Sequence, residues 1–353
     1  MLTQLPTIAE LRLAIFTVTL PKQVSNDSES RTGKIWKQSM SRTSFLLKGI
    51  SKSNTGLEIA PYHSPLAAKR DGYNCLILDV FDTETLRTRG SVDPNVPKDR
   101  IKDVETVDYV GSATDLENLI PKNMHGTFDY IISSHNFEHL ANPIRFLQAC
   151  EKVLKADGVV RMAVPDARAS FDYFRPITLL GDWLAGYGSD RERPTREQVF
   201  SLAAYGSVYT SRKGEYIAFK VGVPMSGVTV KGELRAAYEK WNANANNTEY
   251  IDTHCTIMTP SSLRLLLEEC RQLGLLRLEI ESISDAHGCE FYVKLRNPAP
   301  GHSALPSDAD FQKRRTDLLR KAMRERHFAR FKIPFRSNLG RLGFRIRERF
   351  GRA

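Results

Sequence analysis

Several absences narrow the chain first. Its five cysteines, Cys75, Cys150, Cys255, Cys270 and Cys289, are odd in number, and no two stand at a CxxC spacing. That argues against a disulfide framework and against a zinc site. Cys75, Cys150 and Cys270 lie in apolar stretches and read as small core residues. No apolar run approaches the ~18 residues of a membrane span. The best stretch, Leu11 to Leu20, contains Arg12, Thr17 and Thr19. It has no basic residue before Glu10 and no small-residue cleavage site after it, so it is a poor secretory signal and a cytoplasmic location is expected. No GxGxxG run marks a nicotinamide site, and no internal repeat is visible.

What is present suits one core fold with appendages: 353 residues, 41% of them apolar. The net charge of +10 is uneven. Residues 311–353 hold 15 Lys and Arg against 3 Asp and Glu, a net of +12, while the rest of the chain is at −2. The body is therefore near neutral, and a nucleic-acid partner is not expected. In the tail, basic residues alternate with Leu318, Leu319, Met323, Phe328, Phe331, Phe335, Leu342, Phe344, Ile346 and Phe350. Such a pattern suits an anionic membrane surface, such as the inner membrane face, or an acidic partner protein, with a solvated tail as the plain alternative.

Apolar runs at Leu57–Ala60, Asn74–Val80, Val107–Val110, Thr127–Ser134 and Val159–Val164 read as strands. Helical spacing at Ile35–Ile50, Pro143–Leu154 and Pro260–Leu273 reads as helices, the last with Thr259 as N-cap. A turn is expected at Lys155–Gly158 and a closing strand pair at Leu278–Ile283 and Glu290–Leu295. Alternating strands and helices predict an α/β fold, a Rossmann-like doubly wound, mostly parallel sheet. Residues 166–250 break the rhythm and read as an inserted lid of loops and helices. The expected division is an extension and leading helix over 1–50, a core domain over 51–297, and a linker with a basic tail over 298–353.

In doubly wound sheets ligands bind at the carboxyl ends of the strands. The loop after the first strand, Leu57 to Pro65, lies there. So does Asp79, twenty-one residues after Glu58, where a carboxylate can accept two hydrogen bonds from a ribose diol or simply cap the strand. The fourth strand and its helix carry the most specific pattern, FDYIISSHNFEHL at 128–140 followed by VLKADGV at 153–159. These segments resemble class I S-adenosylmethionine-dependent methyltransferases, in which an FDxIxxxxxxEHL strand precedes a VLKPGG-like turn. Leu57 to Pro65, Ile131 to His139, Ala163 to Pro176 and Asp252 to Leu266 are similar to methyltransferase-domain proteins found with bacterial surface-polysaccharide enzymes. The first loop departs from the pattern, because Ala60 and Tyr62 stand where glycines are usual.

The resemblance implies the class I methyltransferase fold, S-adenosylmethionine as cofactor, and a sugar or glycan precursor as the O-methyl acceptor. It places Glu58, Ala60, Pro61 and His63 at the amino-acid portion of the cofactor, Asp79 at its ribose, Ser112 and Ala113 at its adenine, and Ser134 near the methyl. A hydroxyl acceptor needs a base, and the ordinary histidine pKa of ~6.5 suits one at neutral pH. His135 is the first choice, then His139 and His254, although His139 could only stabilise the next helix and His254 only cap a loop. His135 and His139 lack a third ligand in the sequence, so no metal is expected. Asp166, Arg168, Phe171 and Arg175 could hydrogen-bond and stack on a polar acceptor, or form an ordinary lid. Two other readings stay open: a catalytically weak methyltransferase-like scaffold in a glycan-biosynthesis complex, and a nicotinamide-dependent oxidoreductase.

Overall fold

Successive side chains of a strand face opposite ways, and in this chain both faces of the central strands are covered, which is why those strands read as unbroken apolar runs. The computed structural model describes residues 41–94, 96–244, 250–299, 301 and 305–328. Helix α1 (Arg42–Leu46) leads into β1 (Gly56–Ile59) and β2 (Cys75–Asp79), then α2 (Thr83–Val92), β3 (Tyr109–Val110) and α3 (Leu116–Leu119). Next come β4 (Phe128–Ser134), α4 (Pro143–Val153) and β5 (Leu154–Pro165). An insertion follows with α5 (Leu180–Gly188), α6 (Arg196–Tyr205), β6 (Ser207–Ser211), β7 (Gly214–Tyr216), β8 (Val228–Val230) and α7 (Leu234–Ala243). The chain then returns through α8 (Pro260–Gln272), β9 (Glu279–Ile283), β10 (Glu290–Arg296) and α9 (Asp308–Phe328).

The sheet order is β3-β2-β1-β4-β5-β10-β9. The first five strands are parallel, whereas β10 runs antiparallel to both β5 and β9. This is the expected Rossmann-like α/β methyltransferase fold. One face packs Leu57, Ile131, Met162 and Val293 against Ile144 and Leu147 of α4 and Leu263 and Leu266 of α8. The other packs Tyr130, Ile132, Ala163 and Tyr292 against Leu46 of α1. Thr259 caps α8 as expected, its hydroxyl accepting from Ser262 N while Pro260 fills the first turn.

The structure differs from the sequence expectation in five places. Of the helix expected over 35–50, residues 35–40 lie outside the described set, and among the rest only Arg42–Leu46 is helical. That short helix belongs to the core rather than to an extension, because Arg161 of β5 donates to Phe45 O and Leu46 O at 3.2 and 3.1 Å. The turn at 155–158 is absorbed into β5, with Asp157 at φ 61 and its N–H on Asn297 O. The insertion holds a three-stranded antiparallel sheet, order β7-β6-β8, whose three- to five-residue strands are too short to register as a period. Finally, the start of the basic tail docks on the fold. Arg314 and Arg315 pair with Glu268 and Glu269 of α8 at 2.6 Å each, and Ser261 N donates to Glu325. The tail beyond 328 lies outside the described residues. Among the described residues no helix is long and apolar enough to cross a membrane.

Gly56 sets the β1–β4 contact. A Cβ there would stand 1.9 Å from Tyr130 Cζ, inside a buried ring. Gly56→Ala should therefore cost about 1–3 kcal/mol by overpacking, read as a lower urea midpoint with an unchanged slope. An unshifted midpoint would contradict this register.

Candidate active site

The strand register lines up the carboxyl ends of β2, β1 and β4. Ile59 pairs with Leu78 on one side and Ser133 on the other, so Ala60, Asp79 and Ser134 form one row. With strands ~4.8 Å apart, Asp79 and Ser134 are about 10 Å apart across β1. The chain then bends out of the row. Ala60 (φ 49), Tyr62 (φ 51) and His135 (φ 52) all take the left-handed conformation that favours glycine, at about 1 kcal/mol each. The first loop thus keeps a glycine-type path without glycines. Tyr62 reaches α2, where a Cβ on Gly90 would stand 3.1 Å from its hydroxyl. Burial, then Asp93, push the Tyr62 pKa up to about 12.

Glu58 corrects an expectation. Its carboxylate does not face outward to a ligand; it is 1% exposed and accepts from Leu66 N at 2.8 Å and Ala67 N at 3.0 Å. The crossover from β1 to β2 carries only a 3-10 turn at Lys69–Asp71, so these loop amides need a side-chain acceptor. Burial raises the Glu58 pKa to about 7 despite those bonds. Asp79, by contrast, stays available. It is 4% exposed and accepts from Phe81 N at 3.1 Å, which leaves capacity on a group with about four acceptor positions. Burial raises its pKa to about 6. Past β3, Ser112 caps a 3-10 turn with buried Ala113 and Thr114. Pro61 and His63 stay half-exposed in the first loop, with Ser64 Oγ 3.1 Å from His63 Nδ1. The left-handed first loop, the Asp79 acceptor and the Ser112 turn together fit an adenosyl cofactor laid across β1.

Beyond Ser134 the structure gathers all three candidate histidines around one carboxylate. Glu138 is 1% exposed, and neither of its oxygens has a hydrogen-bond partner among the described residues. His135 Nδ1, His139 Nε2 and His254 Nε2 stand 3.5, 3.8 and 3.9 Å from Glu138 Oε1. Each histidine is held from its other side by a further carboxylate. His135 Nε2 lies 2.6 Å from Glu290, His139 Nδ1 2.9 Å from Asp252, and His254 Nδ1 2.5 Å from Asp172. Those carboxylates are anchored in turn: Glu290 by Arg42 and Tyr292, Asp252 by Tyr250, and Asp172 by Arg175.

The electrostatics follow from this ring of charge. Burial opposes charge on His135 and His139, but the carboxylates outweigh it and raise both to about 9. Burial likewise opposes ionisation of Glu290 and Asp172, yet His135 and Arg42 hold the first at about 2, and His254 and Arg175 the second. His135 is therefore not the unperturbed imidazole expected from the sequence; it carries its proton at neutral pH. The structure also brings His254, 115 residues after His139, to the same carboxylate.

A cavity opens beside the cluster, lined by His135, His139, Pro165, Ser170, Phe171, Ile217, Ala218 and His254. Phe171 is the one residue of the expected acceptor set that lines it, its ring 4.6 Å from that of His254. The other three serve the framework, because their charges are spent inside the protein. Asp166 is 0% exposed and forks with Arg168, while Arg175 is clamped between Asp172 and His254 O. Sequence reasoning missed Arg42, Asp172, Asp252 and Glu290. The Asp252-x-His254 spacing was a usable signal; Arg42 and Glu290 had none, because each reaches the site only through the fold.

The chain matches the methyltransferase-domain family over residues 31–270. A search of curated proteins returns no match. Similar solved structures include an S-adenosylmethionine-dependent methyltransferase from Listeria monocytogenes, 10% identical over 73% of this chain and 96% of that one, at a TM-score of 0.37. Another, from Mesorhizobium loti, is 10% identical over 72% and 97%, at 0.36. A protein named as a Zn-dependent alcohol dehydrogenase, from Rhodobacter sphaeroides, is 14% identical over 73% and 89%, at 0.39. At such scores these likenesses add nothing to the family match, which spans two thirds of the chain. By that match the chain belongs to the methyltransferase-domain family and works as an S-adenosylmethionine-dependent methyltransferase.

Proposed function

We propose that the chain methylates a hydroxyl of a sugar or glycan precursor. The observation that carries this reading is continuity: the row Asp79–Ala60–Ser134 runs directly into His135 and a cavity that mixes charge with the Phe171 ring. Flat rings stack on sugar faces and polar groups fix hydroxyls, so this lining suits such an acceptor.

Asp79 would hold the ribose, the backbone of Ala60 to His63 the amino-acid portion, and Ser112 with Ala113 the adenine. S-adenosylmethionine, when bound, supplies a methyl carbon already activated by its sulfonium. What is left to the protein is alignment and removal of the acceptor proton. Ser134 ends β4 and His135 follows it, and both would lie near this carbon. Glu290 holds His135 Nε2 and Glu138 lies 3.5 Å from Nδ1, so the ring takes the acceptor proton only where it is neutral, a fraction that grows as pH rises toward about 9. Lys313, Lys321 and Arg324 are exposed on α9 and would suit an anionic membrane surface near a lipid-linked acceptor.

Two measurements test the reading. Asp79→Ala should weaken S-adenosylhomocysteine binding by about 1–3 kcal/mol in calorimetry. In the parent protein the affinity should fall as pH drops through about 6, where Asp79 gains a proton and loses acceptor strength; a flat profile from pH 8 to 5 would remove Asp79 from the ribose. His135→Gln should lower turnover by ~10²–10⁴ on nucleotide sugars or lipid-linked glycans while cofactor affinity holds. Equal losses in both would make His135 a binding residue.

A further inference from the structure

We propose that Glu138, His139 and His254 bind a divalent transition-metal ion, Zn²⁺ foremost, with an open coordination position facing the Phe171 cavity. The inference deepens the proposed methyl transfer to a hydroxyl and rests on it for the ion's role. The ligand atoms of these three residues all lie within 4.8 Å of one another. An ion-pair cluster would bring ring N–H groups to hydrogen-bonding distance of Glu138, about 2.7–2.9 Å for charged partners. Here His139 Nε2 and His254 Nε2 stop at 3.8 and 3.9 Å, and among the described residues the buried carboxylate has nothing nearer than His135 Nδ1 at 3.5 Å. Ligands at 2.0–2.1 Å around a tetrahedral zinc are about 3.3–3.4 Å apart, so to share an ion these groups, now within 4.8 Å of one another, would draw together by about 0.5–1.5 Å.

The outer contacts point the same way. Metal-binding histidines typically donate their second ring N–H to a carboxylate, which fixes the tautomer and turns the other lone pair to the ion. His139 does so to Asp252 and His254 to Asp172. Both carboxylates are held by further side chains, Tyr250 and Arg175. Two histidines and one glutamate leave a fourth position free, the pattern of a catalytic rather than a structural zinc site. That position adjoins the cavity lined by His135, Phe171 and Ala218, where an acceptor hydroxyl would lie. An ion there makes such a hydroxyl easier to deprotonate.

The test uses the full chain, stripped with a chelator and titrated with ZnCl₂ by calorimetry, with metal content counted by mass spectrometry. One zinc per chain is expected. Glu138→Gln and His254→Gln should each weaken binding by at least ~100-fold, and Asp252→Asn by ~10–100-fold. His125→Gln, whose ring contacts Glu117 O and Ile120 O and none of the cluster residues, should change nothing. If the ligand variants misfold by circular dichroism, Asp252→Asn and the absorption of the Co²⁺-loaded parent decide, with intense tetrahedral bands expected. No zinc binding, unchanged affinity in folded variants, or weak octahedral bands would overturn the site. S-adenosylhomocysteine binding measured in parallel separates the failures. If S-adenosylhomocysteine binds and zinc does not, only the metal is wrong; if the parent does not bind S-adenosylhomocysteine, the methyl-transfer reading falls first.

Discussion

The buried carboxylate of Glu138 is the constraint around which the site is arranged. A charge removed from water is costly unless partners surround it. This fold meets that demand from four separate segments: His135 and His139 beside it, His254 from the stretch before α8, and the layer of Glu290, Asp252 and Asp172 behind the rings. Arg42 closes the circle from α1, its Nε 3.0 Å from Glu290 Oε1. The sheet positions the first histidine; the insertion and the segment before α8 bring the rest.

That arrangement also fixes the start of the insertion. Asp172 is at once the partner of His254 and of Arg175, and Arg175 returns to His254 O. Asp172 and Arg175 are thus committed to orienting His254 and Asp166 to Arg168, while Ser170 and Phe171 of that segment line the cavity. The strained turn at His135 belongs to the same design. A left-handed residue directly after β4 bends the chain so that its ring lies between Glu138 and Glu290 instead of continuing the sheet.

Much of the fold was legible because its signals are local. Buried parallel strands announce themselves as apolar runs, and Thr259 with Pro260 announces a helix start. The family pattern at 128–159 located the carboxyl edge. The three histidines were also identified from the sequence, but their convergence was not, since His139 and His254 are 115 positions apart. Glu58 looked like a ligand-facing acid because its position matches the first strand of the pattern; only the missing crossover helix shows that loop amides claim it. Asp166 and Arg175 looked free because sequence cannot reveal that they are buried pairs.

The proposed methyl transfer requires that the cofactor edge and the histidine cluster form one site. Its most direct test is the crystal structure of the complex with S-adenosylhomocysteine. The account predicts the ribose on Asp79, the chain crossing β1 at Ala60, and the sulfur turned toward His135 and the Phe171 cavity. A ribose bound away from Asp79, or a sulfur facing away from His135, would contradict it.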